Sequence, residues 1–210
     1  MKSRANRMSI VGHVPLSDHA NAEQLMSMPA VPSHWTLEEV ERLIEEREGY
    51  TPRYELVDGE LLVSPSPSRR HQRIIVRLTI RLAAYVDRFG LGELLTGPVA
   101  VRLGLDSYFE PDLCVVPLAH ADTAITELLL AVEVLSPGSI RHDRITKRKY
   151  FQRHGVPDYW VVDGDAETFE VWRPDDARPV VQDEQLTWQP AGAPEPFVLD
   201  VRAFFAEVAG

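Results

Sequence analysis

Asp112 and Glu133 are acids set in otherwise apolar runs, PDLCVV and LAVEVL, where a carboxylate is costly to leave alone. From Leu128 to Leu135 every residue except Glu133 is apolar. A desolvated ionised carboxylate needs a cation, a metal or several hydrogen-bond donors. Two carboxylates on neighbouring strands can converge on one divalent cation, and oxygen ligands with room for water suit Mg2+ (or Mn2+). Such an ion polarises a phosphate oxygen and lowers the pKa of a bound water, producing a nucleophile near neutral pH. The alternative is structural: Asp112 caps a turn and Glu133 pairs with an arginine.

Other residues could join this chemistry. Lys147 follows the Glu133 strand, one helical turn from Phe151, so its face of that helix points inward. A lysine there would stabilise negative charge developing on a phosphate. Against this, Lys147, Arg148 and Lys149 are consecutive, and at least two of them must face solvent. Glu60 adds a third carboxylate or merely flanks a hairpin turn. His71 touches phosphate, serves as a general base, or simply opens a helix. Asp143 reads most simply as the N-cap of the helix that carries Lys147.

The elements that must position these residues follow from patterning. Thr36-Leu37-Glu38-Glu39 fits a capping box before a short amphipathic helix. Tyr54 to Ser64 reads as two strands around Asp58-Gly59, a two-residue hairpin signal. A long helix runs from about Arg70 to Phe89, with Ile75, Leu78, Leu82 and Val86 on its core face and Arg73, Arg77 and Arg81 on another. Strands are predicted over Glu93–Leu103, Asp112–Val116 and Leu128–Leu135, and a helix over Ile145–His154. DYWVVD and Thr168–Trp172 form a further strand pair, followed by a strand at Phe197–Leu199 and a helix at Val201–Val208. This order describes an α/β fold with a mixed β-sheet flanked by helices.

The chain has 210 residues, 44% of them hydrophobic, enough for one well-cored domain over 34–210 with a mobile leader at 1–33. No apolar run approaches a membrane span and no signal-peptide core is present, so a cytoplasmic protein is expected. The lone cysteine, Cys114, sits in an apolar run and reads as packing. A net charge of −10 weighs against nucleic acid, but its distribution weakens that objection. Residues 69–88 hold six arginines against one acid, and residues 139–154 hold six lysines or arginines against one acid. A basic cleft on an acidic body suits phosphate binding, and solvated helix faces would give the same count.

The ordered series TLEEV, YELVDGELLVSPSPSRRHQRII, PDLCVV, AVEVLSPGSIRHDRITKRKYF and GVPDYWVVD closely resembles the Uma-two family, a restriction-endonuclease-like branch of the PD-(D/E)XK nuclease superfamily. The resemblance covers about Trp35 to Trp172, and FVLDVRAFF is similar to the family's ending. It implies a restriction-endonuclease-like core and a divalent metal bound by the motif acids. Asp112 matches the motif aspartate, Glu133 the second acid, Lys147 the family's helix lysine, and Glu60 and His71 its upstream Glu and His. The superfamily's E-x-K lysine is replaced here by Leu135, so Lys147 would have to reach the same point from another backbone position.

The reading that follows is a metal-dependent DNA endonuclease. Asp112 and Glu133, with Glu60 and the Leu135 carbonyl, hold Mg2+. Lys147 orients or activates the water, and Arg73, Arg77 and Arg81, or Arg141 and Arg144, contact phosphates. The alternative is a binding module for nucleic acid or protein that keeps the nuclease fold without turnover. A third class, a zinc hydrolase, is disfavoured by the lack of an HExxH run or a clustered His/Cys set. A homodimer is expected if both strands of a duplex are cut.

Overall fold

Local sequence chemistry sets the first elements of the computed structural model, which describes residues 34–118 and 124–209. The leader expected at 1–33 lies outside the described residues. Helix α1 (Leu37–Glu46) opens on the expected capping box: the Thr36 hydroxyl accepts from Glu39 N at 3.3 Å and the Glu39 carboxylate accepts from Thr36 N at 2.8 Å. Strands β1 (Arg53–Val57) and β2 (Glu60–Ser64) pair antiparallel around Asp58 and Gly59, whose φ angles of 51° and 79° are those a tight primed turn demands. Helix α2 (Arg69–Phe89) is capped by Ser68 and ends at Gly90, in the left-handed conformation.

The next strand, β3 (Glu93–Thr96), is shorter than the predicted Glu93–Leu103. Gly97-Pro98 stops it. Proline offers no ladder N–H, and a Cβ on Gly97 would lie 2.8 Å from the Pro111 carbonyl. The chain then adds β4 (Ser107–Tyr108) against β1, completing a three-stranded sheet. Strands β5 (Leu113–Val116) and β6 (Leu130–Val134) are buried at every position, as strands covered on both faces must be. A π-helical turn, His142–Lys147, continues into α3 (Arg148–Arg153). It replaces the regular helix predicted from Ile145.

Beyond α3 come β7 (Asp158–Asp163), β8 (Thr168–Trp172) and β9 (Val180–Gln182). The hairpin of β10 (Gln185–Trp188) with β11 (Phe197–Asp200) follows, and then α4 (Val201–Ala209). Strands β4, β9 and β10 carry no strong periodic signal. The main sheet has the order β3-β5-β6-β7-β8-β9. Only β6 and β7 are parallel, which requires a crossover, and the π turn with α3 supplies it. The predicted mixed α/β sheet is therefore present.

The sheet separates two cores. On one side Leu113, Val132, Trp160 and Val162 pack with α2, α4 and the β10–β11 hairpin, where Trp160 meets Phe169 and Trp188 edge-on. On the other, Cys114, Ala131, Tyr159 and Val161 pack with Val57, Leu62, Phe109, Tyr150 and Phe151. Glu133, alternating with Val132 and Val134, faces this second side. No described helix is long and apolar enough to cross a membrane.

Candidate active site

Antiparallel pairing of Leu113 with Val132 brings the residue before β5 alongside Glu133. Asp112 uses that position to bind the neighbouring backbone: its Oδ2 accepts from Val134 N at 2.9 Å. Its Oδ1 accepts from Arg53 Nη1 at 2.8 Å, and His71 Nε2 lies 3.3 Å from Oδ2. Three elements, β1, α2 and β6, thus meet at one aspartate.

The crossover delivers a cation to the second acid. Lys147 Nζ stands 2.8 Å from Glu133 Oε1, 2.8 Å from Glu55 Oε2 and 3.4 Å from Asp143 Oδ1. Lys147 is only 2% exposed, and Glu55, Asp112, Glu133 and Asp143 are buried. The Tyr159 hydroxyl donates to the Asp143 carbonyl at 2.9 Å and ties the π turn to β7. Glu55 is held in turn by the Glu110 N–H, 2.9 Å from its Oε1.

Burial and charge pull these groups apart. Burial drives the Glu133 carboxyl well above the usual range, and the neighbouring Asp112, Asp143 and Glu55 add to this against the opposing charge of Lys147. Burial likewise raises Asp143. Desolvation would lower Lys147, but Glu133, Glu55 and Asp143 outweigh it and hold the ammonium charged well beyond its ordinary range. Asp112 moves the other way. Its burial is overcome by the His71 hydrogen bond and the Arg53 charge, which lower it to about 2. One carboxyl held ionised beside one that favours its proton is the divergence expected of acid–base sites.

Of the residues singled out by sequence, Asp112, Glu133, Lys147 and His71 are brought into this region. Glu60 is not. It is exposed at the hairpin tip, opposite Val57, and takes part in none of the ion pairs that bind the cluster. Asp143 is not an N-cap but a buried partner of Lys147 within the π turn. Leu135 is partly buried and its N–H donates to the Val162 carbonyl.

The arginine stripe of α2 is also corrected. Arg73 donates to the Val208 carbonyl, and Arg77 and Arg81 pair with Glu207. These cations neutralise the carbonyl end of α4 and its last acid and are not free for phosphate. Arg144 is likewise spent on Asp163 and Glu170. Arg141 is exposed at the start of the π turn.

Sequence reasoning missed Glu55 and Arg53. Their signal lay in the hairpin register: Glu55 pairs with Leu62 across β1–β2 and shares the inward face with Val57, whereas Glu60 sits at the tip. Alternation counted from the Asp58-Gly59 turn would have found it.

Two cavities flank His71. One, of about 430 Å³, is lined by Arg53, His71 and Asp112 with apolar residues of α2. The other, of about 730 Å³, lies between the Pro65–Ser68 loop, the N-terminus of α2 and the Ser136–Gly138 turn. His71 Nδ1 is buried without a hydrogen-bond partner.

The donor set bears on a divalent ion. The cluster offers oxygen ligands only, with four buried acids against the permanent cations Lys147 and Arg53. This excess of negative charge fits Mg2+. Among the described residues no three acids, histidines or cysteines form a ready metal cage, since Asp112 is closed on Arg53 and His71, and Glu133 on Lys147. Donor chemistry and charge fit the ion, and the protein's own cations stand in its place.

A mixed sheet carrying acids on two adjacent strands, with a lysine folded back by the crossover, places the chain in the restriction-endonuclease-like class of α/β folds. The chain belongs to the Uma2 family, described as "Putative restriction endonuclease", whose family model matches residues 37–202. Its fold is similar to the crystal structure of a "putative nuclease" from Anabaena variabilis, with a TM-score of 0.67 and 22% sequence identity over 82% of this chain and 98% of that one. No curated protein matches the chain.

Proposed function

We propose that the protein is a Mg2+-dependent DNA endonuclease that hydrolyses phosphodiester bonds. The observation that carries this reading is the buried lysine among carboxylates: Lys147 Nζ within 2.8 Å of both Glu133 and Glu55, beside an Asp112 bonded to the backbone next to Glu133. Burying ions together stabilises a fold less than apolar groups of equal volume, so a cluster of this kind points to chemistry. Membership of a nuclease family points the same way.

Asp112 and Glu133 would hold Mg2+ (or Mn2+), with Glu55 and the Leu135 carbonyl as further oxygen donors. The bound ion would supply positive charge to a phosphate oxygen and make water more acidic. The chain's own residues supply the rest. Arg53 and His71 keep Asp112 ionised. Lys147, charged throughout the neutral range, stabilises negative charge as it grows on the phosphate. Glu133 and Asp143 hold or release a proton beside it. Arg141 and the N–H groups opening α2 are the phosphate contacts that remain after the internal pairing of Arg73, Arg77, Arg81 and Arg144. A cytoplasmic homodimer with two such sites would cut both strands.

Incubating supercoiled plasmid with wild type, Glu133→Gln and Lys147→Met in Mg2+ or Mn2+ tests this. Cleavage by wild type alone is expected, and equal activity or equal inertness of all three overturns it. The closed Asp112–Arg53 and Glu133–Lys147 pairs favour a second reading, a binding module without turnover. Calorimetry distinguishes the two: DNA uptake with no Mg2+ uptake supports the module.

A further inference from the structure

The cavity against α2 has features that phosphate chemistry does not use. Its floor is polar, made by Arg53, His71 and Asp112, while Val76 and Ile80 of α2 form an apolar wall and Tyr50 stands at its mouth. These wall residues are left in solvent: Tyr50 is 75% exposed, Val76 53% and Ile80 59%. An amphipathic surface helix normally turns polar residues outward. Here α2 presents Val76 and Ile80 beside the cavity instead. His71, nine-tenths buried at the floor, keeps Nδ1 without a partner.

A volume of about 430 Å³ falls within the range of small-molecule pockets, and an apolar lining with a few converging polar groups is their usual character. The occupant must therefore be flat or apolar in body, carry hydrogen-bonding edges, and be linked to whatever group reaches Asp112. A nucleobase joined to the phosphate under attack meets all three demands. Its faces would lie on Tyr50, Val76 and Ile80, and its edge would meet the unpartnered His71 nitrogen.

We propose that this cavity takes one unstacked nucleobase beside the phosphate under attack, so that the protein prefers single-stranded or unpaired DNA to intact duplex. The inference rests on the nuclease reading and names the substrate class of the same site. A paired base is stacked and cannot enter without being extruded, at an energetic cost that an unpaired base does not bear. A base stacked on side chains binds without sequence preference, because every base offers a π-face.

The test uses the full chain carrying Glu133→Gln, so that the probe survives, and a fluorescein-labelled oligothymidylate read by anisotropy against a duplex of equal length. The single strand is expected to bind at least tenfold more tightly. Adding Val76→Gln and Ile80→Gln, both at exposed positions and without change of charge, should weaken single-strand binding on the order of tenfold and leave duplex binding unchanged. Equal affinity for the two probes, or no effect of the double substitution, overturns the base pocket and leaves the nuclease reading standing. Binding of neither probe sinks both. A change from oligomer to monomer on sedimentation of the double variant, with single-strand affinity unaltered, assigns the apolar wall to contact between copies and also overturns the proposal.

Discussion

The ammonium of Lys147 and the carboxylate of Glu133 meet at 2.8 Å although they lie 14 residues apart on different elements. A strand supplies the acid and the crossover after it supplies the base, so the pair exists only when β6, the π turn and β7 are assembled together.

Replacing Glu133 by Gln should abolish cleavage and stabilise the fold at neutral pH. The folded-state pKa of Glu133 is raised. Its favourable contribution is therefore complete below the unfolded value and is lost as pH rises through the folded one. Gln remains neutral throughout, so thermal melts should show the variant gaining on wild type with rising pH, by roughly 2–6 °C. Loss of stability at every pH would show that the Lys147 contact outweighs the burial of charge.

Lys147→Met removes the cation shared by Glu133, Glu55 and Asp143. Leaving buried acids unpaired costs about 3–5 kcal/mol. Urea titration at neutral pH should show a loss of this size, narrowing under acid because Glu133 and Asp143, both raised, take protons readily.

Asp112 behaves oppositely. Its pKa is lowered to about 2 from the ordinary 3.8, so its contribution is present above the unfolded value and lost as pH falls through the folded one. Asp112→Asn should destabilise the protein by on the order of 2 kcal/mol at neutral pH. Denaturation curves of the two proteins should converge toward pH 2.

Mg2+ should raise the melting temperature of wild type, because a ligand bound only by the folded state stabilises it by mass action. The rise should be absent from Asp112→Asn and return to baseline on adding a chelator. An equal shift in both proteins would place ion binding elsewhere.

Cys114 is buried, and desolvation pushes its thiol up to about 12. A thiol reagent at neutral pH should leave the folded protein unlabelled and label it stoichiometrically in denaturant. Fast labelling of the native state would show that β5 opens.

The scaffold was largely legible in the sequence because its signals are local. The Thr36–Glu39 box, the Asp58-Gly59 turn and the apolar runs of β5 and β6 each determine structure within a few residues. The outer strands β9 and β10 were not, since Val180 and Val181 are exposed and give no burial pattern. At the site, Asp112, Glu133 and Lys147 could be named as acids and base in telling surroundings. Glu55 could not be ranked above Glu60 without the hairpin register. The arginines of α2 read as phosphate ligands because the helix that consumes them, α4, lies at the other end of the chain.

The π turn at His142–Lys147 has one last consequence. An ordinary helix advances about 100° per residue, and a turn that absorbs an extra residue sets everything after it back by about that angle. Residues before the turn and residues after it are therefore phased independently. Removing a single residue between Asp143 and Lys147 would restore a regular helix, more comfortable for the backbone, and swing the ammonium away from Glu133. The lysine's aim is encoded in a residue count as much as in its identity.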